Sequence, residues 1–293
     1  MHDMENVARL SRKIRTAHDL LSVVKTMKGL AAVNIRHFES AARSMDKYSH
    51  IIEIGWQALL RNNVHMESRT RSSAAVCLVI GSDQGMCGQF NDAVVRFATE
   101  HIDSLKRNGI KIHYWTAGER VRVAFDEVTS IEHHFALPSS TDAIGDLMLA
   151  MVHDFADLHE VHHIETFVLY FNRLGRGGAY EPVAVQVLPL DAQWSRQKKE
   201  AVWPSRCLPV VGMEVNDFFK HIFQEHLFAL IYRAFAQSLA CENGARLSAM
   251  MAAEKNILEL EEKLQGKFRE NRQSAITAEL LDIISGFEAL TPH

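Results

Sequence analysis

Residues 7–59 read VARLSRKIRTAHDLLSVVKTMKGLAAVNIRHFESAARSMDKYSHIIEIGWQAL. Val7, Leu10, Ile14, Ala17, Leu21, Val24, Lys28, Ala31, Ile35, Phe38, Ala42, Met45, Ser49, Ile52, Trp56 and Leu59 recur at 3-4-3-4 spacing, and only Lys28 and Ser49 are polar. That spacing lines one stripe of an α-helix. Sustained this long, it predicts a coiled-coil seam rather than a bundle helix, which would be about half as long and capped sooner.

Proline placement extends the reading. The six prolines are Pro138, Pro182, Pro189, Pro204, Pro209 and Pro292, so none lies in 1–137 or in 210–291. A proline inside a helix costs about 3 kcal/mol, and both ends of the chain are free of that interruption. Residues 213–290 carry the stripes Ile257, Leu260, Leu264, Phe268 and Ile276, Leu280, Ile283, Phe287, Leu290, with Gly244, Gly266 and Gly286 weakening the helix without ending it. One end helix enters the middle of the chain and the other leaves it, so a pair of them runs antiparallel. At 1.5 Å per residue they measure about 85 and 115 Å, which predicts an overhang of roughly 30 Å at the C-terminal tip. An apolar stripe without a neighbour calls for an outside sleeve. The tip, 283–293, has one acidic residue and no Lys or Arg.

The middle alternates. Ala74–Ile80 (AAVCLVI) reads as a buried strand, 89–107 as a helix, Lys111–Thr116 as a strand and 118–125 as a helix. Then come a strand-like 130–137, a helix near 141–158 and strands at 164–171 and 183–188. Such alternation predicts a small α/β, Rossmann-like domain. Ser195–Pro209 reads as a polar, proline-bounded linker. The expected division is 1–70 as N-terminal helix, 71–205 as α/β domain and 206–293 as C-terminal helix.

The bulk numbers fit a soluble globular chain: 293 residues, 47% hydrophobic, 23% charged, net charge −4. Residues 1–73 hold 12 Lys+Arg against 7 Asp+Glu, whereas the rest holds 20 against 29. A basic end on an acidic body points to an acidic partner. Cys77, Cys87, Cys207 and Cys241 form no CxxC pair and are expected to be reduced thiols in a cytoplasmic setting. No run is long enough for a membrane span, and the N-terminus resembles no signal peptide, so membrane association is expected only through partners.

Three motifs carry possible chemistry. Gly81-Ser-Asp-Gln-Gly-Met-Cys-Gly-Gln-Phe-Asn91 follows a strand and precedes a helix, where glycines can cradle phosphate. Its G-x3-G-x2-G spacing matches neither G-x-G-x-x-G nor a Walker A loop, and a tight structural turn is expected. His159-Glu160-Val161-His162-His163 matches H-E-x-x-H, but an apolar strand begins directly after it and no third ligand follows, so a polar turn is expected instead of zinc. Arg9, Arg12, Lys13, Arg15, Lys25, Lys28 and Arg36 face a single acid, Asp19, over 9–36. The unbroken seam and the lack of interleaved aromatics favour a carboxylate-bearing protein over nucleic acid. A metal- or nucleotide-dependent enzyme on the α/β domain and a coiled-coil scaffold remain as alternative readings.

The run Glu242-Asn243…Ala245-Arg246…Ala249-Met250…Asn256 resembles the γ subunit family of F-type ATP synthases. So does Arg272-Gln273-Ser274-Ala275-Ile276-Thr277-Ala278-Glu279-Leu280…Ile283…Ser285-Gly286…Ala289-Leu290. The loop is similar to the family's S-D-x-G-L-C-G-x-x-N signature, and Lys13-Ile14, Lys25-Thr26-Met27, Ala31-Ala32 and Arg36 fall in matching register. Asp19–Val24, Asn34 and Arg173–Gly178 depart from the family and mark a divergent branch. The resemblance implies a non-catalytic rotor shaft with no cofactor, metal or catalytic residue of its own. It implies partners in the α and β subunits of the head, the ε subunit and the membrane c-ring, at the cytoplasmic face of a bacterial inner membrane, and no nucleic acid. Lys25, Lys28, Arg246, Arg272, Gln273, Thr277 and Glu279 would contact the head, and Asp83, Gly85, Cys87 and Gly88 would shape the loop, with Cys87 structural.

Overall fold

The structure, a computed structural model, describes residues 2–61, 73–126, 129–162, 164, 166–175, 180–190, 192–204, 206–207 and 212–290. The elements are α1 (His2–Arg61), β1 (Ala74–Ile80), α2 (Phe90–Arg107), β2 (Lys111–Ala117), α3 (Glu119–Asp126) and β3 (His133–Phe135). Then follow α4 (Thr141–His162), β4 (Thr166–Leu174), β5 (Tyr180–Leu188), α5 (Ala192–Glu200) and α6 (Val215–Leu290). They form two compact units, Met1–Ala31 with Leu247–His293, and Ala32–Arg246. Among the described residues, no helix is long and apolar enough to cross a membrane.

The proline-free ends do become long helices, of 60 and 76 residues. None of the sixteen seam residues of α1 is exposed. In the first unit α1 and α6 pack antiparallel: Lys28 Nζ meets Glu254 Oε2 at 2.5 Å, and Leu20 shares a groove with Leu260. Those facing pairs set a register in which α1 begins opposite about residue 278, so α6 overhangs by about 18 Å. The expectation of 30 Å came from length alone and assigned all the extra residues to the tip. Beyond the register, Leu280 and Ile283 are 57% and 71% exposed.

The second unit is built on a five-stranded sheet of order β3-β2-β1-β4-β5, parallel except for β4 against β5. All seven residues of β1 are buried, as a central strand covered on both faces requires. One face carries Val76, Leu78, Trp115 and Leu169 against Ile144 and Met148 of α4, Phe38 of α1 and Phe235 of α6. The opposite face packs Cys77, Val79 and Tyr170 against Val94, Ala98 and Ile102 of α2 and Val121 of α3.

Two expectations shift. Ser195–Pro209 is not simply a linker, because its start belongs to α5. Trp194 packs edge-on against Trp56 of α1, and Lys198 Nζ lies 2.6 Å from Glu53 Oε2. An aromatic anchor and an ion pair thus help to order a polar nine-residue segment whose backbone no proline breaks. Helix α4 also runs on through His162, taking most of the H-E-x-x-H stretch with it, while His163 lies outside the described residues. Among the described residues, no group of three His, Cys, Asp or Glu could hold a metal ion.

Candidate functional site

The loop after β1 sits where the strand order reverses, between β1 and β4, the usual ligand crevice of an open α/β sheet. Its backbone is held from within. Ser82 N–H donates to Asn91 Oδ1 at 2.9 Å, Asn91 Nδ2 donates to Ser82 Oγ at 2.8 Å, and Ser82 Oγ donates to the Gln84 carbonyl at 2.8 Å. Met86 and Gly88 both take left-handed conformations, with φ of 61° and 59°. Gly88 does so without steric cost, whereas Met86 bears strain that the network around it must hold. Gly81 is required for a different reason: a Cβ there would lie 1.9 Å from Val121 Cγ2.

Asp83 ties the loop to its neighbours. Its two carboxylate oxygens accept the Glu119 N–H at 2.9 Å and the Leu137 N–H at 3.0 Å, capping α3 and fixing the segment after β3. Gly85 faces Arg120, whose Nη2 would be 3.1 Å from an added Cβ. Cys87 is buried, with its sulfur 3.4 Å from Asn91 Nδ2 and 3.6 Å from Ser82 Oγ.

Beneath the loop lies α6. Cys87 and Phe90 pack against Cys241 and Ala245, and the Phe90 and Tyr180 rings meet edge-on at 5.6 Å. The Arg246 guanidinium donates to Glu242 Oε1 at 2.5 Å and to the Gln84 carbonyl at 3.3 Å, so one cation joins the helix to the loop. Asn172, at the end of β4, donates to the Phe90 carbonyl at 2.9 Å. Burial pushes the Glu242 carboxyl up, against the pull of Arg246, and Asp83 adds to the rise. Burial also pushes the Cys241 thiol up to about 12, which leaves it a protonated packing group at neutral pH. The arrangement is a mechanical joint: the crevice that elsewhere takes a ligand is filled by the chain's own helix.

The residues singled out in the sequence therefore separate. Asp83, Gly85, Cys87 and Gly88 come together, and Arg246 joins them, turned inward at 8% exposure. Lys28 is half-buried and committed to Glu254 within the chain. Lys25, Arg272, Gln273, Thr277 and Glu279 are exposed, and the Thr277 hydroxyl donates back to the Gln273 carbonyl at 2.9 Å. Asn34, one of the family departures, donates to Asn243 Oδ1 at 3.4 Å. Ser82, Asn91, Asn172 and Glu242 were missed as site residues. Ser82 and Asn91 are the first and last positions of the loop signature, and Glu242 stands at i,i+4 from Arg246, so these three had a usable signal and Asn172 had none.

Comparison with known proteins agrees with this architecture. A family model described as ATP synthase matches residues 6–290. The ATP synthase gamma chain of Paraburkholderia phytofirmans is 25% identical, covering 98% of this chain and 100% of its own. That of Parvibaculum lavamentivorans is 26% identical at the same coverage. Among solved structures, the rotor of the Euglena gracilis mitochondrial ATP synthase superposes with a TM-score of 0.63 at 14% identity, covering 93% of this chain and 99% of its own. The central stalk and c-ring structure of the Tetrahymena thermophila mitochondrial enzyme gives 0.57 at 17% identity, covering 79% and 99%. These two likenesses concern the fold. With a family match spanning nearly the whole sequence, the chain belongs to the ATP synthase gamma chain family.

Proposed function

We propose that this chain is the central-stalk rotor of an F-type ATP synthase. It couples ion flow through a membrane ring to ATP synthesis or hydrolysis in an α3β3 head, and it is a non-catalytic subunit of that complex. One observation supports this reading above the others. An antiparallel helix pair, overhanging into an uncovered apolar tip, belongs to the same α6 that the Gly81–Asn91 loop grips through Arg246. A helix fixed in that way can carry torque.

In this reading Lys25, Arg272, Gln273, Thr277 and Glu279 meet loops of the α and β subunits, where each exposed polar contact is weak alone but spaces and steers the rotor. Lys28 and Arg246 act through their internal partners, Glu254 and Glu242, and present the surfaces around them to the head. The α/β domain faces the ε subunit and the c-ring. The chain reaches the cytoplasmic side of a bacterial inner membrane only through these partners. Because the helix pair is asymmetric, each catalytic subunit meets a different face of it, and rotation biases the sites in turn between tight and open states.

The test is assembly and motion. The tagged chain should co-purify with α and β subunits in a stoichiometric complex. A bead fixed to its α/β domain should rotate during ATP hydrolysis. A chain that purifies alone from cells containing those subunits, or a complex that turns over ATP without bead rotation, overturns the reading.

A further inference from the structure

Strand β3 is the least self-supporting piece of the sheet. It has three residues, it lies at an edge, and its neighbour in the sheet is β2. So short a ladder leaves much of the holding to side chains. Its two histidines and the glutamate before it reach three different elements. His133 and His134 point to opposite faces, as successive strand residues do. His133 Nδ1 lies 3.4 Å from Asp154 Oδ2 of α4. His134 Nε2 lies 3.6 Å from Glu119 Oε2 of α3, and its Nδ1 is 3.0 Å from Thr116 Oγ1 of β2. Glu132 Oε2 is 2.7 Å from His113 Nδ1 of β2.

The distances separate these ties by kind. At 2.7 Å the His113 N–H donates to Glu132, and the neutral and the protonated ring can both make that bond. At 3.4 and 3.6 Å the other two pairs are longer than good hydrogen bonds, so their attraction depends on charge on the ring. Both rings are partly exposed, at 38% and 29%, so protons reach them in the folded chain. The permanent cations beside Glu119 are Arg120 and Arg122 of α3, and Arg122 engages both Glu119 and Asp126. Beside Asp154 on α4, His153 pairs with Asp157 at 3.9 Å. Among the described side chains of this network, the carboxylates of Glu119, Asp126, Glu132 and Asp154 outnumber the two guanidinium groups, so a charge on either ring enters net negative surroundings. The Glu119 carboxyl is held below its ordinary value, by Arg122 first and with His134 contributing, so it is ionised wherever histidine titrates.

The strand is also tied to the loop after β1. The Phe135 carbonyl accepts the Gly118 N–H at 3.0 Å. Asp83 accepts the Leu137 N–H, two residues past β3, and the Glu119 N–H at the head of α3. We infer that β3 is a proton-operated clasp on the edge of the domain. Protonated, His133 and His134 draw α4 and α3 onto the strand. Neutral, they leave it to its short ladder with β2 and to the Glu132 anchor, and the tie from Asp83 to Leu137 opens more often. The edge is therefore held more firmly as pH falls through about 6.5, the ordinary range of histidine.

Hydrogen exchange of the full-length chain at about pH 5.5 and about pH 8, with each amide normalised to its intrinsic rate, tests this. The Gly118 and Leu137 amides should be protected about fivefold more at the acid end. Val94 and Ala98 of α2 are the reference. They report wider opening, which acid promotes, because burial holds the His226 ring down at about 4 and protonation then favours unfolding. His133→Gln with His134→Gln keeps polar side chains at both places and should abolish the pH dependence at Gly118 and Leu137. Asp154→Asn alone should reduce it by about half. Equal protection at the two pH values in the parent chain overturns the inference, whatever the variants do. So does a pH dependence that survives in the double variant, or one that the α2 amides share.

Discussion

Helix α6 is uninterrupted, yet its two stretches are built for different surroundings. From His226 to Arg246 only Arg233 is exposed. From Met251 onward, among the residues whose side chains are described, the half-buried positions shrink to a narrow set, Glu254, Ile257, Glu261, Leu264, Phe268, Asn271 and Ala275 with Ala253 beside them, and none is fully buried. A helix covered on all sides is part of a core, and a helix covered along one stripe is half of a seam. The first stretch fixes position and the second offers surface. The tip stripe Ile276, Leu280 and Ile283 goes further, because it is exposed throughout.

This contrast can be broken by substitution. The largest effect belongs to the core stretch: Phe235→Ala, at a site with 0% exposure, should cost about 3–5 kcal/mol in urea unfolding of the isolated chain. A loss under about 1 kcal/mol would mean that this part of α6 is not core. Next comes the joint. Glu242→Ala leaves Arg246 buried without its carboxylate and should cost about 3 kcal/mol, whereas Glu242→Leu with Arg246→Leu should restore most of the loss, because an apolar pair has no charge to desolvate. A double variant as unstable as the single one would show that the hydrogen bond to the Gln84 carbonyl dominates.

The third effect depends on pH. Burial holds the His226 imidazole down at about 4, with Lys198 adding to the depression and Glu53 opposing it. The folded chain thus keeps His226 neutral where the unfolded chain protonates it, near 6.5. Stability is therefore retained above about 6.5 and lost as pH falls toward about 4, by about 3 kcal/mol. The ring also meets Trp56 edge-on and Trp194 at a tilt, so His226→Gln should lower stability at neutral pH but flatten this slope. An unchanged slope would assign the acid sensitivity to other groups.

The smallest effect on the isolated chain is expected at the exposed end. Gln273→Leu with Thr277→Val should change its unfolding free energy by less than about 0.5 kcal/mol, since both side chains face solvent. In the assembled complex the same pair should lower coupled ATP hydrolysis. Unchanged turnover and assembly would remove these two residues from the contacts.

Much of this was legible beforehand. The α1 seam was, because a 3-4 repeat is a local property and each residue reports its own face. Strand β1 was, because a run of only seven apolar residues, rich in Val and Ile and followed by a glycine turn, suits a strand buried on both faces. Helix α5 was not: its polar composition carries no stripe, and the Trp194 anchor finds its partner 138 positions earlier in the chain, at Trp56. The loop signature pointed to Asp83, Gly85, Cys87 and Gly88, but not to the distant groups that hold them. Arg246 reaches Gln84 across 162 positions and Asn172 reaches Phe90 across 82, and such pairings leave no trace in spacing. Arg246 itself was expected to contact the head because the family resemblance implies it. Within the chain it is paired with the buried Glu242, one helical turn away, and the sequence pattern did not single out that pairing.

The filled crevice between β1 and β4 has a consequence for how the domain holds together. A free ligand at such a place would leave at some rate and return at a rate set by its concentration. Here the occupant is part of the same polypeptide, so it rebinds at an effective concentration that dilution cannot lower. Local opening of the loop is then followed by reclosure on the same helix, in the same register. The grip thus persists as a property of chain connectivity as well as of the individual contacts.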